Sequence, residues 1–464
     1  MRYINNSTAK NNTMNAPVLK FITEYAKENA VRLHMPAHKG KSTDETDGLS
    51  PELFDITEIE GAGDLYAPDG IVFESEQNAS SLFGADTFYS AEGSSLSIRA
   101  MLYLALKYSL NTGKGRTIVA ARNVHRSFIS AAAFLDLSVQ WIYGDFNYLS
   151  CNVTSNELAT FLDGLTEKPF AVYITSPDYV GNIADIKGLS DVCKARDIIL
   201  LVDNAHGAYL KFLPISIHPI DLGATMCCDS AHKTLHTLTG GAYLHIAKSA
   251  PDFYKKNAKS ALSLFGTSSP SYLILCSLDK TNLLLSDNFK EKLKKKTEQV
   301  KSIKAALINA GFILCGSEDL KITVSPKKYG YTGREINGYL RSRNIVCEFF
   351  DDDYITFMVS VNTEKEHLDR LKTAFLSLKQ RKALTALPPP ASRLKRATSI
   401  RSALLSPSET VSAENSSGRI LSSVTASCPP AVPIAVCGEI IDDNTVKAFH
   451  YYGIKTCSVI KEQV

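Results

Sequence analysis

Short apolar runs that end in polar or charged residues recur along the first 275 residues of the chain. Residues 198–202 are all apolar and lead directly to Asp203, and residues 117–121 and 170–175 form similar runs. Such runs are typical of parallel strands that are buried on both faces. Stretches with helical spacing, such as residues 17–28, alternate with them. The pattern predicts an α/β protein with a doubly wound, mainly parallel sheet.

The pattern changes after residue 275. A helical stretch reaches about residue 310, and short strand-like runs at 312–315, 321–324 and 354–359 predict a smaller α/β domain. Three prolines at 388–390 and the basic, serine-rich residues after them indicate a linker. The predicted units are an N-terminal segment and helix (1–35), a large domain (36–275), a small α/β domain (276–387), a linker-like segment (388–417) and a C-terminal subdomain (418–464).

Composition narrows the functional classes. The 464 residues are 44% hydrophobic and 21% charged, with a net charge of +3. So small a net charge does not indicate the concentrated basic face that nucleic-acid binding usually needs. No apolar stretch is long enough for a membrane helix. The N-terminus has no apolar core of a secretory signal, and the ten cysteines lack metal-ligand spacing. We therefore expect a cytoplasmic protein with reduced thiols and no metal site.

Asp203 and Lys233 are the residues whose pattern suggests chemistry. Ligands of open α/β sheets bind at the carboxyl ends of the strands, where Asp203 is predicted to lie. Lys233 follows the strand-like run 224–228 and stands beside Ser230 and His232. A lysine amine becomes nucleophilic when it is partly desolvated or near other positive groups. The pair suits pyridoxal phosphate, whose aldehyde forms a Schiff base with lysine while a carboxylate keeps the ring nitrogen protonated.

Simpler interpretations exist for each residue. Asp203 could cap the next helix, and Lys233 alone could be a solvated surface charge.

Ser94 and Ser95 open a strongly helical stretch after Gly93, so backbone N–H groups and hydroxyls there suit a phosphate. The alternative is an ordinary serine N-cap.

Several motifs together resemble the ornithine/lysine/arginine decarboxylase family of fold type I pyridoxal phosphate enzymes, in its short bacterial form. They follow the family order from about residue 17 to 275. The motifs are Arg32-Leu-His-Met-Pro-Ala-His-Lys-Gly40, Asp55-Ile-Thr-Glu-Ile, Asp64-Leu-Tyr, Leu82-Phe-Gly-Ala-Asp86, Asn123-Val-His-Arg-Ser127, Thr175-Ser-Pro-Asp-Tyr-Val-Gly181, Asp203-Asn-Ala-His-Gly207, Ser230-Ala-His-Lys-Thr234 and Thr267-Ser-Ser-Pro-Ser-Tyr272.

The resemblance implies roles for individual residues. Lys233, Asp203, His125 and His206 would be catalytic: His125 stacks on the cofactor ring and orients the substrate, and His206 lies near both. Residues that would bind the cofactor, including its phosphate, are Ser94, Ser95, His125, Asp203, His206, Ser230, His232, Lys233, Thr267 and Ser268. Because the last two reach the neighbouring subunit's phosphate, the resemblance implies a homodimer, or a higher even oligomer, with shared active sites.

The resemblance also implies decarboxylation of lysine, arginine or ornithine to an amine of the polyamine pathway and CO2. A basic substrate needs an acidic partner, for which Asp64, Glu348 and Glu439 are candidates.

Two alternatives stay open. An aminotransferase or lyase would hold the substrate carboxylate with an arginine, and Arg99 and Arg122 are candidates by position. A catalytically impaired relative is the other alternative, because Ala37, Glu92 and Leu96 depart from the family pattern.

Overall fold

The computed structural model describes residues 14–28, 30–41, 51–425 and 432–462. Residues 1–15 of the N-terminal segment are polar in sequence, and all but the last two of them lie outside the described residues. The α-helices are α1 (Pro17–Lys27), α2 (Gly70–Phe83), α3 (Gly93–Asn111), α4 (Arg126–Phe134), α5 (Ser155–Asp163), α6 (Ile186–Lys194), α7 (Ala231–Thr234), α8 (Asp252–Phe265), α9 (Tyr272–Ser286), α10 (Phe289–Asn309), α11 (Gly333–Arg341), α12 (Lys365–Leu376), α13 (Ile400–Leu405) and α14 (Asp443–Tyr451).

The strands are β1 (Ala85–Ser90), β2 (Thr117–Ala121), β3 (Ser138–Ile142), β4 (Asp145–Phe146), β5 (Cys151–Asn152), β6 (Ala171–Thr175), β7 (Ile199–Asp203), β8 (Met226–Asp229), β9 (Ala242–Ala247), β10 (Ile313–Cys315), β11 (Lys321–Ser325), β12 (Phe349–Phe350), β13 (Ile355–Met358), β14 (Ser408–Ser412) and β15 (Thr456–Ile460). Within the described ranges, no helix is both long enough and apolar enough to cross a membrane.

A seven-stranded sheet forms the centre of the large domain, in the order β1-β9-β8-β7-β6-β2-β3. Strands β3, β2, β6, β7 and β8 are parallel, whereas β9 is antiparallel to both β1 and β8. Along β2, Ile118 and Ala120 pack with α3, α4 and α8, while Val119 and Ala121 pack with α5 and α6. Helices therefore cover both faces, and the predicted doubly wound, mainly parallel sheet is confirmed.

The small domain is built on a four-stranded antiparallel sheet in the order β10-β11-β13-β12. Its apolar residues, such as Ile322 and Phe375, belong to the same buried cluster as Val18 of α1 and Phe83 of α2. Helix α9 spans the predicted boundary at residue 275. The two domains thus share one continuous core.

The prediction of a linker at 388–417 is wrong for its second half. Helix α13 buries Ile400 and Ala403 in the cluster formed with α3, α4 and α8. Strand β14 pairs antiparallel with β15 near the C-terminus. The Ser399 side chain accepts the N–H of Ser402, so a serine in this stretch begins a helix. Four of its six residues are apolar, but the helix is too short for a helical period to stand out from the serine- and arginine-rich sequence around it.

A buried ion pair joins the C-terminal subdomain to the large domain. The Arg122 guanidinium donates to the two carboxylate oxygens of Glu439 at 2.7 and 2.8 Å. Both side chains are at most 2% exposed. Glu439 also accepts the N–H of Val436, and the Trp141 ring lies 5.1 Å from the guanidinium carbon. Because an unpaired buried charge is costly, each group depends on the other.

We expect Glu439→Ala to destabilise the protein by about 3–5 kcal/mol, because it leaves the Arg122 guanidinium buried without a counter-charge. The measurement is the shift of the urea unfolding midpoint. Glu409→Ala is the matched control, because it removes a more exposed ion pair with Arg419 and should shift the midpoint far less. Equal shifts for the two variants would contradict the importance of the buried pair.

Candidate active site

The carboxyl ends of parallel strands bring the predicted cofactor residues to one edge of the sheet. Asp203, at the end of β7, pairs in the ladder with Cys228 of β8. Ser230 follows β8 and is the N-cap of α7, which contains Lys233. Because β8 is followed by a serine and then a short helix, Lys233 lies beside the end of β7.

Asp203 is buried and held by specific donors. The Tyr173 hydroxyl donates to Oδ2 at 3.2 Å, and the N–H of Ala205 donates to Oδ1 at 3.2 Å. The next helical turn, Ala208–Phe212, has Gly207 as its N-cap without a side-chain cap. The structure therefore does not support the simpler interpretation of Asp203 as a helix cap.

Lys233 and His206 are in direct contact, with 3.0 Å between Nζ and Nε2. Burial lowers the pKa of Lys233, while the Asp203 carboxylate acts in the opposite direction. Burial, followed by the charges of Lys321 and Lys233, holds the pKa of His206 well below its usual range. A lysine with a lowered pKa has a larger neutral, nucleophilic fraction than a solvated one.

His125 is the N-cap of α4 and also belongs to the site. Its Nδ1 accepts the N–H of Ser127 at 3.2 Å, so Nε2 carries the ring proton. The Ser127 hydroxyl lies 2.7 Å from that of Ser95. Burial lowers the pKa of His125, and the negative charge of Asp203 acts in the opposite direction. The residue is nevertheless partly exposed at the surface. His125 thus caps α4 while it also feels the charge of Asp203, and its stacking on the cofactor ring stays a prediction.

The predicted phosphate-binding hydroxyls meet at the start of α3. The Oγ atoms of Ser94 and Ser230 are 2.8 Å apart. Gly93 has a φ of +71°, and a Cβ there would meet no heavy atom within 4 Å, so the turn borders open space. His232 donates its Nδ1–H to the carbonyl of Gly241 at 3.0 Å, which leaves Nε2 as the acceptor.

The loop of Thr267 and Ser268 lies against the start of α3 in the same chain. The N–H of Thr267 donates to the Glu92 carboxylate at 2.5 Å, and the Tyr66 hydroxyl donates to the Thr267 carbonyl at 3.2 Å. Thr267 and Ser268 are both exposed. Glu92, a departure from the family pattern, therefore holds this loop in place.

The other two departures cause no visible strain. Leu96 is buried in the cluster around α3. Ala37 is not among the residues with positive φ; in that segment these are Lys39 and Gly40. Alanine is thus compatible with the backbone at position 37.

Lys321 and Glu318 of the small domain also reach the site, and sequence analysis did not predict them. Lys321 Nζ lies 3.0 Å from Glu318 Oε2, 3.4 Å from His206 Nδ1 and 3.1 Å from the carbonyl oxygen of Asp178. Both charged side chains are 1% exposed. Their signal in the sequence was weak, namely a lysine that begins an apolar run three residues after a glutamate.

The buried ion pair of Arg122 and Glu439 removes two candidates for substrate recognition. Arg122 and Glu439 bind each other, so neither is available to a substrate carboxylate or a basic side chain. Arg122 is therefore excluded as the arginine that would hold the substrate carboxylate in the aminotransferase alternative. Arg99 remains, partly buried on α3.

The remaining acidic candidates, Asp64 and Glu348, are both exposed but differ in their contacts. Asp64 Oδ1 accepts the N–H of Tyr66 at 2.7 Å in a local turn. Glu348 accepts from the Tyr179 hydroxyl at 3.5 Å, and its negative charge acts on Lys233. Glu348 is therefore the acidic candidate with an electrostatic link to the site.

A buried hydrogen-bonded cluster lies directly before Ser230. Asp229 Oδ2 accepts from Nε2 of His218 at 3.1 Å and of His245 at 3.2 Å, and Oδ1 accepts from Asn204 at 2.6 Å. Burial would raise the pKa of Asp229, but the two histidines outweigh it and hold the pKa well below its usual range. One possible metal-binding atom from each of His218, Asp229 and His245 lies within 4.8 Å of the other two. Their donors all point to the carboxylate, which anchors the end of β8.

Comparison with known proteins assigns the family. A family model described as "Orn/Lys/Arg decarboxylase, major domain" matches residues 16–318. A protein named arginine decarboxylase from Halalkalibacterium halodurans is 30% identical over 93% of this chain and 92% of its own length. The chain belongs to the Orn/Lys/Arg decarboxylase family. The predicted family, and with it the prediction of a decarboxylase enzyme, is confirmed.

Two further comparisons agree with this assignment. A protein named arginine decarboxylase from Bacillus subtilis is 28% identical over 93% of this chain and 92% of its own length. The solved structure of constitutive lysine decarboxylase from E. coli has a TM-score of 0.77 at 17% identity, covering 96% of this chain and 82% of that one. This likeness confirms the predicted fold class.

Proposed function

We propose that the protein uses pyridoxal phosphate to decarboxylate a basic amino acid, with arginine as the first candidate. The products would be CO2 and the corresponding amine of the polyamine pathway. The observation that carries the proposal is Lys233, whose pKa is lowered and whose Nζ contacts buried His206 within the field of Asp203. A desolvated amine near a buried carboxylate is what this aldehyde cofactor requires.

The side chains at the sheet edge fit the two ends of the cofactor. Lys233 would hold the aldehyde, Asp203 the protonated ring nitrogen, and His125 the ring face. The phosphate would bind where hydroxyls, the first N–H groups of α3 and open space coincide. The residues proposed for it are Ser94, Ser95, Ser230 and His232.

Pyridoxal phosphate, when bound, supplies the electron sink that loss of the carboxyl group requires. The chain's own residues provide the environment. Asp203 keeps its orientation through Tyr173 and Ala205, and its charge acts strongly because the carboxylate is buried. The contact between His206 Nε2 and Lys233 Nζ holds the lysine amine in a fixed position beside Asp203.

Arginine is the first candidate substrate because the proteins named arginine decarboxylase align over nearly the whole chain. We propose Glu348 as the partner of the guanidinium. Tyr179 donates to Glu348, and its ring packs edge-on against His206 at 5.5 Å, which connects Glu348 to the site. A carboxylate suits a guanidinium because the two pair through parallel hydrogen bonds.

We further propose a homodimer, or a higher even oligomer, in which Thr267 and Ser268 complete the phosphate site of the neighbouring subunit. Both residues are exposed beside the start of α3. Val31 and Leu33 on the N-terminal segment are 85% and 88% exposed, and exposed apolar residues of this kind favour contact with another chain.

A cytoplasmic location belongs to the same proposal. The nine cysteines in the part of the chain that the structure describes are free thiols. Free thiols are typical of a reducing compartment.

We expect Lys233→Ala to lose covalent retention of pyridoxal phosphate and at least about 10³-fold in turnover, because the attacking amine is absent. CO2 release from arginine, lysine and ornithine measures turnover, and borohydride reduction followed by peptide mass analysis locates the link. Lys248→Ala, which changes an exposed lysine paired with Asp86, is the control and should retain both properties. No CO2 release from any of the three substrates by the unaltered protein would refute the proposed function.

Glu348→Gln should raise KM for arginine about tenfold, since a charge-assisted hydrogen bond contributes about 1.5–3 kcal/mol. Asp64→Asn is the control, with an expected change below about twofold. Steady-state kinetics should separate KM from kcat, because the Glu348 charge also acts on Lys233. A raised KM in the control alone would assign recognition to Asp64 instead.

The double variant Thr267→Ala with Ser268→Ala should weaken dimerisation and cofactor retention together, because a ligand shared by two chains favours only the assembled state. Sedimentation with detection at the cofactor's absorbance measures both at once. Ser263→Ala, at an exposed serine of α8, is the control. A stable monomer fully loaded with cofactor at assay concentration would contradict the shared site.

A further inference from the structure

A row of three nitrogen groups crosses the boundary between the small and large domains. Lys321, at the start of β11, lies 3.4 Å from His206 Nδ1, and His206 Nε2 lies 3.0 Å from Lys233 Nζ. Lys321 and His206 are buried, and Lys233 is partly buried. The small domain thus contacts the proposed cofactor lysine through one imidazole ring.

The hydrogen bonds of Lys321 define which atoms accept. An ammonium group has three donors and no acceptor. The Nζ of Lys321 has three neighbours in the structure, which are Glu318 Oε2, the carbonyl oxygen of Asp178 and His206 Nδ1. Glu318 is the buried counter-charge of this ammonium. Because the ammonium has no acceptor, its contact makes His206 Nδ1 the acceptor, and the ring proton resides on Nε2.

We propose that Lys321 is a positioning residue that fixes this tautomer of His206, so that Nε2–H donates to Lys233 and holds its Nζ as the neutral amine. The inference rests on the proposed function, in which Lys233 captures an aldehyde. Capture joins Nζ to the aldehyde carbon in a C=N bond, and the two Nζ hydrogens leave with the carbonyl oxygen as water.

The opposite arrangement conflicts with the buried ion pair. If Lys233 were an ammonium donating to Nε2, neutral His206 would carry its proton on Nδ1, directed at the Lys321 ammonium. Two donors would then face each other in a buried site. Relief would require Lys321 to lose its charge and to leave buried Glu318 without a partner.

The charges around Lys233 act in both directions. Burial and the positive charge of Lys321 favour the neutral amine, whereas Asp203, Glu348 and Cys228 favour the ammonium. On His206, burial, Lys321, Lys233, His125 and His232 all disfavour a second ring proton. Removing the Lys321 charge would therefore raise the pKa of Lys233 and reduce its neutral fraction at a given pH.

The first experiment measures capture of pyridoxal phosphate by the full-length chain purified without cofactor. The absorbance change is followed across a pH series, and borohydride trapping with peptide mass analysis confirms that Lys233 is the modified residue. Because Lys321→Met alone would strand Glu318, the test variant combines Lys321→Met with Glu318→Gln. The pH midpoint of capture by the double variant should lie about one pH unit above that of the unaltered protein. Below that midpoint, capture should be about tenfold slower than in the unaltered protein.

Two further variants distinguish positioning from structural support. Lys321→Arg retains a cationic donor and should retain the midpoint of the unaltered protein. Lys304→Met removes a nearby lysine whose Nζ contacts the carbonyl oxygen of Glu318, and it should also leave the midpoint unchanged. A shift in the Lys304 variant equal to that of the double variant would overturn the inference, because general loss of charge would explain both.

The second experiment observes the tautomer directly. Nitrogen NMR of histidine-labelled protein, with the His206 signals identified through His206→Gln, should show the proton on Nε2. A proton on Nδ1, or an unchanged pH midpoint in the Lys321–Glu318 double variant, would overturn the inference. Failure of the unaltered protein to capture cofactor at any pH would instead refute the proposed function, and the NMR spectrum would still decide the tautomer.

Discussion

Burial of charge at the carboxyl edge of the large sheet is the constraint on which the rest of the structure depends. A charge removed from water must have a partner, or the fold loses several kcal/mol. The chain meets this requirement three times near the edge. Arg122 pairs with Glu439, Lys321 pairs with Glu318, and Asp229 is held by two histidines and Asn204.

These pairs explain why the proposed site needs all parts of the chain. The large sheet carries Asp203 and Lys233, the small domain adds Lys321, and the C-terminal subdomain supplies Glu439 behind the turn that contains His125. Each contact limits the movement of a charged side chain near this edge of the sheet. Preorganisation of this kind is how a protein environment favours charge changes during a reaction.

Local patterns predicted much of this arrangement. The apolar run before Asp203 identified β7, and the runs at 117–121 and 170–175 identified β2 and β6. Lys321 and the partner of Arg122 could not be found this way. Lys321 is 115 positions from His206, and Glu439 is 317 positions from Arg122. Neither periodicity nor spacing reports contacts at such separations, which only the tertiary fold creates.

The Arg122–Glu439 pair has a consequence for synthesis on the ribosome. Arg122 emerges 317 residues before the carboxylate that neutralises it. During that interval its guanidinium must remain hydrated, because burial without a partner is unfavourable. Burial of the Arg122 side chain at the end of β2 must therefore wait until residue 439 has been synthesised.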